Sequence, residues 1–226
     1  MASRLNRTEA IVLRRTDYGE ADRILNLLTP TGKMSAIAKG VRREKSKLAG
    51  GIELFAVSDV VVAQGKSQMG TITSARLQKF YGNIIKDLGR LEVGYEAIKQ
   101  TNRAAEENFE PEWFDLLKLT FENLNDPDID ERITATWFRL QLAILLGLGL
   151  NLATDSRGAK LALNTRYNFD PTEMAFEPSP GGTYTSDHIK LLRLLSGSNP
   201  RIVAKVGGTL NLLDPALYVA RAAAHF

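Results

Sequence analysis

The first 80 residues alternate short apolar runs with turn-forming residues, at intervals of about ten positions. Each run is long enough for a β-strand, and none of the segments between them is long enough for the helix that joins two parallel strands. The pattern therefore predicts a small antiparallel barrel of five strands, because closure removes exposed strand edges. The predicted strands lie at 8–16, at about 24–28, and at 33–39, 52–64 and 69–77.

After Arg76 the apolar residues recur every three or four positions, which is the period of an amphipathic helix. Helices are predicted at 84–107, from Pro111 to Leu124, from a cap at Asp130 to Leu148, and at 187–195. The third of these becomes apolar on nearly every side from Leu142 onward and should form the centre of a bundle. Residues 150–185 are rich in polar residues, proline and glycine and predict an irregular segment, and the last thirty residues predict one or two short helices.

These elements indicate an α+β protein of two domains. The first, residues 1–80, is predicted to be the small five-stranded barrel, and the second, residues 81–226, to be a helical bundle with an irregular insertion at about 150–185. Charge follows the same division. Residues 1–80 contain 14 basic and 7 acidic residues, whereas residues 81–226 contain 15 and 19. A basic first part and a mildly acidic second part suggest different partners.

The most basic stretch is the connection between the third and fourth predicted strands, with glycines at both ends. Its cations repel one another, and a polyanion such as nucleic acid relieves that repulsion. A solvated loop without a partner is the alternative, and the loop alone does not decide between the two. Five cations against the single anion Glu44 define this basic loop, residues 39–47: Lys39, Arg42, Arg43, Lys45 and Lys47.

Other side chains of the barrel could extend a nucleic-acid track. Tyr18 lies in a turn beside Gly19, where it could stack on a base, whereas Phe55 is predicted to belong to the core. Because aromatic residues are sparse, binding should be mainly electrostatic and independent of sequence. Four more cations are candidates for contacts, with an ordinary surface position as the alternative for each: Arg14, Arg15, Arg76 and Lys79.

No catalytic constellation is present in the sequence. There is no cysteine, no phosphate-binding Walker motif and no serine nucleophile elbow. The two histidines are His188, interpreted as an ordinary helix-end residue, and His225, and the pair Asp128 with Asp130 is explained by helix capping. We therefore expect no catalytic residue and no cofactor. The longest near-apolar run, residues 142–150, is too short to span a bilayer, so we expect a cytoplasmic protein without membrane contact.

The N-terminal part resembles the RecO family of recombination mediators in DNA repair. Roughly the first 100 residues match well, and Trp137–Leu142 with 146–148 looks like that family's central helix. The residues that carry the resemblance are 9–14, 17–25, Thr29, 32–33, 36–43 and 45–48.

The resemblance implies that residues 1–80 are an oligonucleotide-binding (OB) barrel, followed by a helical bundle. It also implies a protein that binds single- and double-stranded DNA and anneals complementary strands. It also implies contact with the acidic tail of the single-strand-binding protein, and help from a RecR-like partner in loading a RecA-like recombinase, at the nucleoid. An apolar pocket rimmed by cations would suit that tail. Arg132 and Arg139, on one helix face, could form such a rim, with a helix-surface role as the alternative.

Many members of that family hold zinc in the matching region through two Cys-x-x-Cys pairs. The corresponding positions here are Thr154, Arg157, Thr185 and His188, which cannot supply a structural zinc site. We therefore expect no metal, and a segment that is held by packing alone or is partly disordered. The function expected is that of a DNA repair and recombination mediator. The alternatives are a nucleic-acid-processing enzyme or its accessory subunit, and an RNA-binding OB protein.

Overall fold

The computed structural model describes residues 4–65, 69–107 and 110–224, which form two compact units, Met1–Asn125 and Asp126–Phe226. The first unit contains five strands followed by two helices. The strands are β1 (Arg4–Tyr18), β2 (Asp22–Thr29), β3 (Gly32–Ala38), β4 (Ala56–Gln64) and β5 (Gly70–Phe80), and the helices are α1 (Leu88–Glu107) and α2 (Glu112–Asn125).

The five strands close into a barrel in the order β1-β2-β3-β5-β4, and β1 also pairs with β4. All pairs are antiparallel except β3 with β5, which meet in parallel at Ala36–Gly70 and Ile37–Thr71. The alternation of apolar and polar positions places Val12, Leu25 and Val60 in the barrel core, which they share with the small residues Ala36 and Ala38. The predicted α+β class and five-stranded OB barrel are confirmed.

Several predicted boundaries were wrong. β1 begins at Arg4 rather than at residue 8, because its polar first residues pair along β4 from Arg4–Gln64 onward. β4 begins at Ala56 rather than at residue 52, because residues 54–55 form a turn in which Phe55 has a left-handed backbone (φ 55°). The predicted turn between β4 and β5 includes residues 66–68, which lie outside the described residues.

Helices α1 and α2 pack on the barrel through Phe55, which is buried as predicted. Phe55 has a left-handed backbone (φ 55°), and its ring makes edge contacts with Tyr95 and Phe121 at centroid distances of 5.1 and 5.5 Å. A β-carbon at Gly94 would lie only 2.7 Å from the Phe55 ring, so glycine allows α1 to approach the ring closely. These contacts make the two helices part of the barrel's compact unit. The predicted division at residue 80 coincides with the end of β5. That this position is a boundary between domains stays a prediction.

The second unit contains α3 (Glu131–Leu145), β6 (Tyr167–Asp170), β7 (Ala175–Pro178), α4 (Ser186–Gly197), α5 (Pro200–Val203) and α6 (Leu213–Ala223). Helix α3 contacts α4, α5 and α6, as expected for the centre of a bundle. It ends at Leu145 rather than at Leu148, and Ile144 and Leu148 are exposed. The segment predicted to be irregular contains the β6–β7 hairpin, whose strands are four residues each and too short to show a period in the sequence.

Candidate nucleic-acid interface

Apolar side chains within the basic loop and just after it anchor this part of the chain in the barrel core. Val41 and Ile52 are buried there, and Leu48 packs against the same core. Gly40 has a left-handed backbone (φ 63°), and a β-carbon at Gly51 would collide with the backbone of Ala75 in β5. The loop therefore has a defined path across the end of the barrel, although it lacks regular secondary structure.

The turn between β1 and β2 braces the basic loop. The backbone N–H of Arg42 donates to the carbonyl of Ala21 at 2.9 Å, and that of Gly40 donates to the Asp22 carboxylate at 2.6 Å. Asp17, at the end of β1, accepts from Arg23 Nε at 2.8 Å. The loop that follows β3 and the turn that follows β1 thus form one surface, which the sequence alone did not join.

All five predicted cations of the basic loop have exposed side chains. Arg42 forms a long ion pair, with its Nε 3.5 Å from Asp17 Oδ2. In the part of the chain that the structure describes, the other four, Lys39, Arg43, Lys45 and Lys47, form no ion pair. Their charge is therefore not neutralised by the protein's own carboxylates, which is the condition for attracting a polyanion.

The hydrogen bond from Arg23 holds the pKa of Asp17 below its ordinary value, and the charges of Arg42, Arg23 and Arg15 act in the same direction. Asp17 is therefore ionised at neutral pH and sits beside the basic loop as a fixed negative charge. Among the described residues, Asp17 is the acidic group that forms an ion pair with Arg42.

An open face of the barrel adjoins this surface. On β1, β2 and β3, the residues that alternate with the core residues face outward, and they pair as Arg14–Asn26–Ser35 and Thr16–Ile24–Ile37 across the strands. Tyr18 is 55% exposed at the end of β1 nearest the basic loop. In OB barrels this face, over strands two and three, receives oligonucleotides. Its exposed or half-buried side chains are Arg14, Thr16, Tyr18, Ile24, Asn26, Ser35 and Ile37.

Sequence reasoning named Arg14 and Tyr18 on this face but missed Ile24, Asn26, Ser35 and Ile37. These four residues were missed because the outward face is defined by the pairing of β1, β2 and β3, and the sequence does not give the strand register. At the other end of the face, Lys33 donates to the Asn102 carbonyl and to Glu106 of α1, at 3.0 and 2.8 Å. Helix α1 thus occupies that end and leaves the end near the basic loop open.

The four additional candidate cations differ in their surroundings. Arg15 pairs with Glu53 at 2.8 Å, and Lys79 pairs with Glu122 at 3.2 Å and lies 5.1 Å from the centre of the Tyr81 ring. Arg14 and Arg76 are exposed, and neither forms an ion pair with any described carboxylate. Arg14 belongs to the open face. Arg76 is in β5, where its backbone lies opposite that of Asp59 in β4, and so it is on another side of the barrel. Of these four cations, Arg14 is therefore the one that, within the described residues, is exposed on the open face with Tyr18 and forms no ion pair.

The two arginines of α3 do not form an exposed rim. Arg132 is held by Asp130, with Nη2–Oδ2 at 2.9 Å, and its Nη1 lies 3.1 Å from Asp214. Arg139 is 8% exposed and donates to the Ala135 carbonyl at 3.0 Å. Arg139 is therefore buried and does not have the alternative helix-surface role. This geometry does not favour the predicted rim, and the assignment of Arg132 and Arg139 to a partner site stays a prediction without structural support.

A different surface of the second unit has the features expected of a binding site for an apolar peptide. A cleft of about 860 Å³ lies between the residues after α3, the β6–β7 turn and α6. Leu148 and Tyr218, both half exposed, line it together with Met174, and Arg221 supplies a cation. The sequence did not point to this cleft, because its residues lie up to 75 positions apart and come together only in the folded bundle.

The positions that match the family's zinc ligands do not fit a zinc ion. Thr154 and Thr185 offer neutral hydroxyls, and Arg157 is a cation, whereas structural zinc takes thiolate and imidazole ligands. His188 is engaged elsewhere, because its Nδ1 accepts from the backbone N–H of Thr185 at 3.2 Å and lies 3.0 Å from the Thr185 hydroxyl. This is a capping box at the start of α4, in which His188 is the third residue.

Packing and backbone hydrogen bonds hold the segment that contains these positions. Phe176 lies 5.2 Å from Phe169 and 5.5 Å from Tyr184, ring centre to ring centre, and Tyr184 lies 5.8 Å from His188. Burial raises the pKa of Tyr184 to about 12. The four aromatic residues of this cluster, which includes Tyr167, are buried. The described segment is therefore ordered, with an aromatic core of its own.

Asp130 and His188 both take part in helix capping. Residues 4–65, 69–107 and 110–224 contain no group of three or more His, Cys, Asp or Glu side chains that could hold a metal ion. Asp130 caps α3 by accepting from Arg132 N at 2.9 Å, as the capping interpretation predicted. His188 is committed to its capping box, and His225 lies outside the described residues. None of the helices within the described ranges is both long and apolar enough to cross a membrane.

Comparisons with known proteins identify the family. Residues 1–81 match the family model described as recombination protein O N terminal, and residues 101–213 match recombination protein O C terminal. The chain is 34% identical over 184 residues to a DNA repair protein RecO from Dehalococcoides mccartyi, covering 80% of this chain and 69% of that protein. It is 39% identical over 126 residues to a DNA repair protein RecO from Roseiflexus, covering 55% and 44%.

A third relative, a DNA repair protein RecO from Thermoanaerobacter, is 36% identical over 146 residues, which cover 64% of this chain and 58% of the relative. The matched part thus spans between 44% and 69% of the length of these three relatives. Both family models match in the expected order, with the first on the barrel and the second on the helical part. The chain belongs to the RecO family.

Proposed function

We propose that this chain is a DNA repair and recombination mediator that binds single- and double-stranded DNA and anneals complementary strands, without bond chemistry of its own. The observation that carries the proposal is the braced basic loop, with four exposed and unpaired cations beside an open OB face in the described residues. The names of its relatives, DNA repair proteins RecO, support the same role.

DNA would lie across the open face of β1, β2 and β3, with its phosphates toward the basic loop and one base stacked on Tyr18. The contacts are to the backbone rather than to base edges, so binding would be independent of sequence. Annealing follows if the cations reduce the repulsion between two strands held close together. Residues 1–80 would hold DNA, at the nucleoid in the cytoplasm, and residues 81–226 would bind protein partners.

The protein partners proposed are the single-strand-binding protein, a RecR-like protein and a RecA-like recombinase that is loaded onto coated single strands. For the acidic tail of the single-strand-binding protein, we propose the cleft lined by Leu148, Met174 and Tyr218, with Arg221 near the peptide's carboxylates. Loss of binding of a labelled acidic-aromatic peptide in Arg221→Ala, with retention in Arg201→Ala, would support this site. Equal binding by both variants would move the site elsewhere.

Fluorescence-detected annealing of complementary oligonucleotides tests the main proposal. The variant Arg42→Ala/Arg43→Ala should anneal about tenfold more slowly, because electrostatic steering of the strands is lost. Lys86→Ala/Lys99→Ala removes two exposed cations from the same unit outside the loop and should anneal like the unmodified protein. Unchanged annealing in the first variant would remove the basic loop from the mechanism.

Two alternatives give different outcomes in the same preparation. A nucleic-acid-processing enzyme, or an accessory subunit of one, would cleave the oligonucleotides or hydrolyse nucleotides when a divalent metal is added. An RNA-binding protein would bind an RNA oligonucleotide more tightly than the DNA of the same sequence. We expect no cleavage, and we expect no preference for RNA, because the proposed contacts are to phosphates, which both polymers share.

A further inference from the structure

The second unit has a basic surface of its own, at a small hairpin that follows α3. Asp155 N–H donates to the Ala159 carbonyl at 2.8 Å, and Leu161 N–H donates to the Ala153 carbonyl at 3.1 Å. Gly158, with φ 80°, turns the chain at the tip. The hairpin, residues 153–161, is therefore a fixed structure rather than a loose loop.

Two cations project from this hairpin, and a third comes from α4. Arg157 lies at the hairpin tip and Lys160 at its base, opposite Thr154, and both are exposed. Arg193 donates from Nε and Nη2 to the Leu152 carbonyl, at 2.9 and 2.6 Å, and so is fixed beside the hairpin. Lys160 and Arg193 line a common cleft of about 670 Å³, whose other walls include Leu152 and Leu161.

The charge of this surface is not cancelled nearby. Within the described part of the chain, Arg157, Lys160 and Arg193 form no ion pair. The carboxylate in the hairpin, Asp155, is buried and accepts from the backbone N–H groups of Arg157 and Ala159, both at 2.9 Å. These two bonds stabilise the buried carboxylate, and three exposed cations outnumber it, so the exposed side of the hairpin is cationic.

We infer that this surface, formed by Arg157, Lys160 and Arg193, is a second binding site for the phosphate backbone of a nucleic-acid strand. It resembles the basic loop in its chemistry, since both present exposed cations that, apart from Arg42, form no ion pair within the described residues. Its cleft combines the cations Lys160 and Arg193 with apolar walls from Leu152, Ala153 and Leu161 and with the polar side chain of Thr154, which suits a sugar-phosphate chain. The inference rests on the proposed function and adds to it, because annealing needs two strands and this site would hold the second.

Strand annealing and single-strand binding, measured together on the full chain, test the inference. Arg157→Ala/Lys160→Ala should leave the affinity for one labelled oligonucleotide within about twofold, because the basic loop still binds it, and should slow annealing about tenfold. The control, Arg201→Ala/Lys205→Ala, removes two exposed cations from the same unit and should change neither measurement. Far-UV circular dichroism and thermal melting show that each variant is folded.

The outcomes separate this inference from the proposed function. If Arg157→Ala/Lys160→Ala anneals like the control, the second site is refuted, whereas the basic-loop variant still tests the main proposal. If it loses single-strand binding as well as annealing, the surface is the main site and not a second one, which also overturns the inference. If it loses only the binding of an acidic peptide, the surface binds protein rather than nucleic acid, and the inference is wrong.

Discussion

Asp17, at the end of β1, and Arg42, in the basic loop, meet at 3.5 Å, Oδ2 to Nε. Asp17 also accepts from Arg23 at 2.8 Å, so one exposed carboxylate is shared by two arginines. An exposed ion pair of this length contributes little to stability. Its significance is electrostatic, because it places a negative charge beside the surface that is proposed to hold phosphates.

Replacing Asp17 by Asn should therefore strengthen DNA binding. Removal of the carboxylate leaves Arg42 free for a phosphate and removes repulsion, and the affinity for a single-stranded oligonucleotide should rise about twofold to fivefold at low salt. Fluorescence anisotropy measures the change, which should shrink at higher salt. Weaker binding by Asp17→Asn would mean instead that the carboxylate is needed to position Arg42.

The contact between the barrel and its helices should be important for stability. Phe55→Ala removes a buried ring that contacts Tyr95 and Phe121, and should lower the free energy of unfolding by about 3–5 kcal/mol. Urea denaturation measures this change. Phe80→Ala is the matched control, since Phe80 is 42% exposed and should cost less than about 1 kcal/mol. Equal losses in the two variants would contradict the packing described for Phe55.

The strand content of the barrel could be predicted because turn residues separate its apolar runs, and the basic loop because its cations are adjacent in sequence. The fate of single cations could not be predicted. Arg15 and Lys79 are paired with carboxylates 38 and 43 positions away, and such pairing depends on the closed barrel and the packed helices. The outward face of β1–β3 required strand registers, which the sequence does not state.

Acid should weaken the start of α4 through His188. Burial lowers the pKa of this imidazole below 6.5, as does the charge of Arg166, while Asp187 acts in the opposite direction. The neutral ring is the form that accepts from Thr185, so its stabilisation is complete above pH 6.5 and is lost as the pH falls through the lower pKa of the folded state.

The melting temperature of the protein should therefore fall on acidification below about pH 6.5 more steeply than that of His188→Gln, which keeps a hydrogen-bond acceptor and does not titrate. Thermal melts between pH 5 and 7.5 make the comparison. Parallel curves for the two proteins would show that His188 does not contribute to the acid sensitivity.

The segment between α3 and α4 should be stable without metal. Its aromatic cluster and capping box do not involve a cation site, so an excess of EDTA should leave the melting temperature unchanged, and the purified protein should contain no stoichiometric zinc by mass spectrometry. Phe176→Ala, which removes the centre of the cluster, should destabilise the protein by about 3–5 kcal/mol. A lower melting temperature in EDTA would contradict the assignment of these positions.

The salt dependence of DNA binding tests the role of the basic loop directly, because the measurement needs no protein partner. If its five cations neutralise about four to five phosphates of a single strand, the logarithm of the association constant should fall with the logarithm of salt concentration with a slope of about −3 to −3.5. Substituting alanine for the four unpaired cations, Lys39, Arg43, Lys45 and Lys47, should make the slope shallower, to between about −1 and 0. A wild-type slope near zero, or one that these substitutions leave unchanged, would show that the protein does not hold nucleic acid by the charge of this loop.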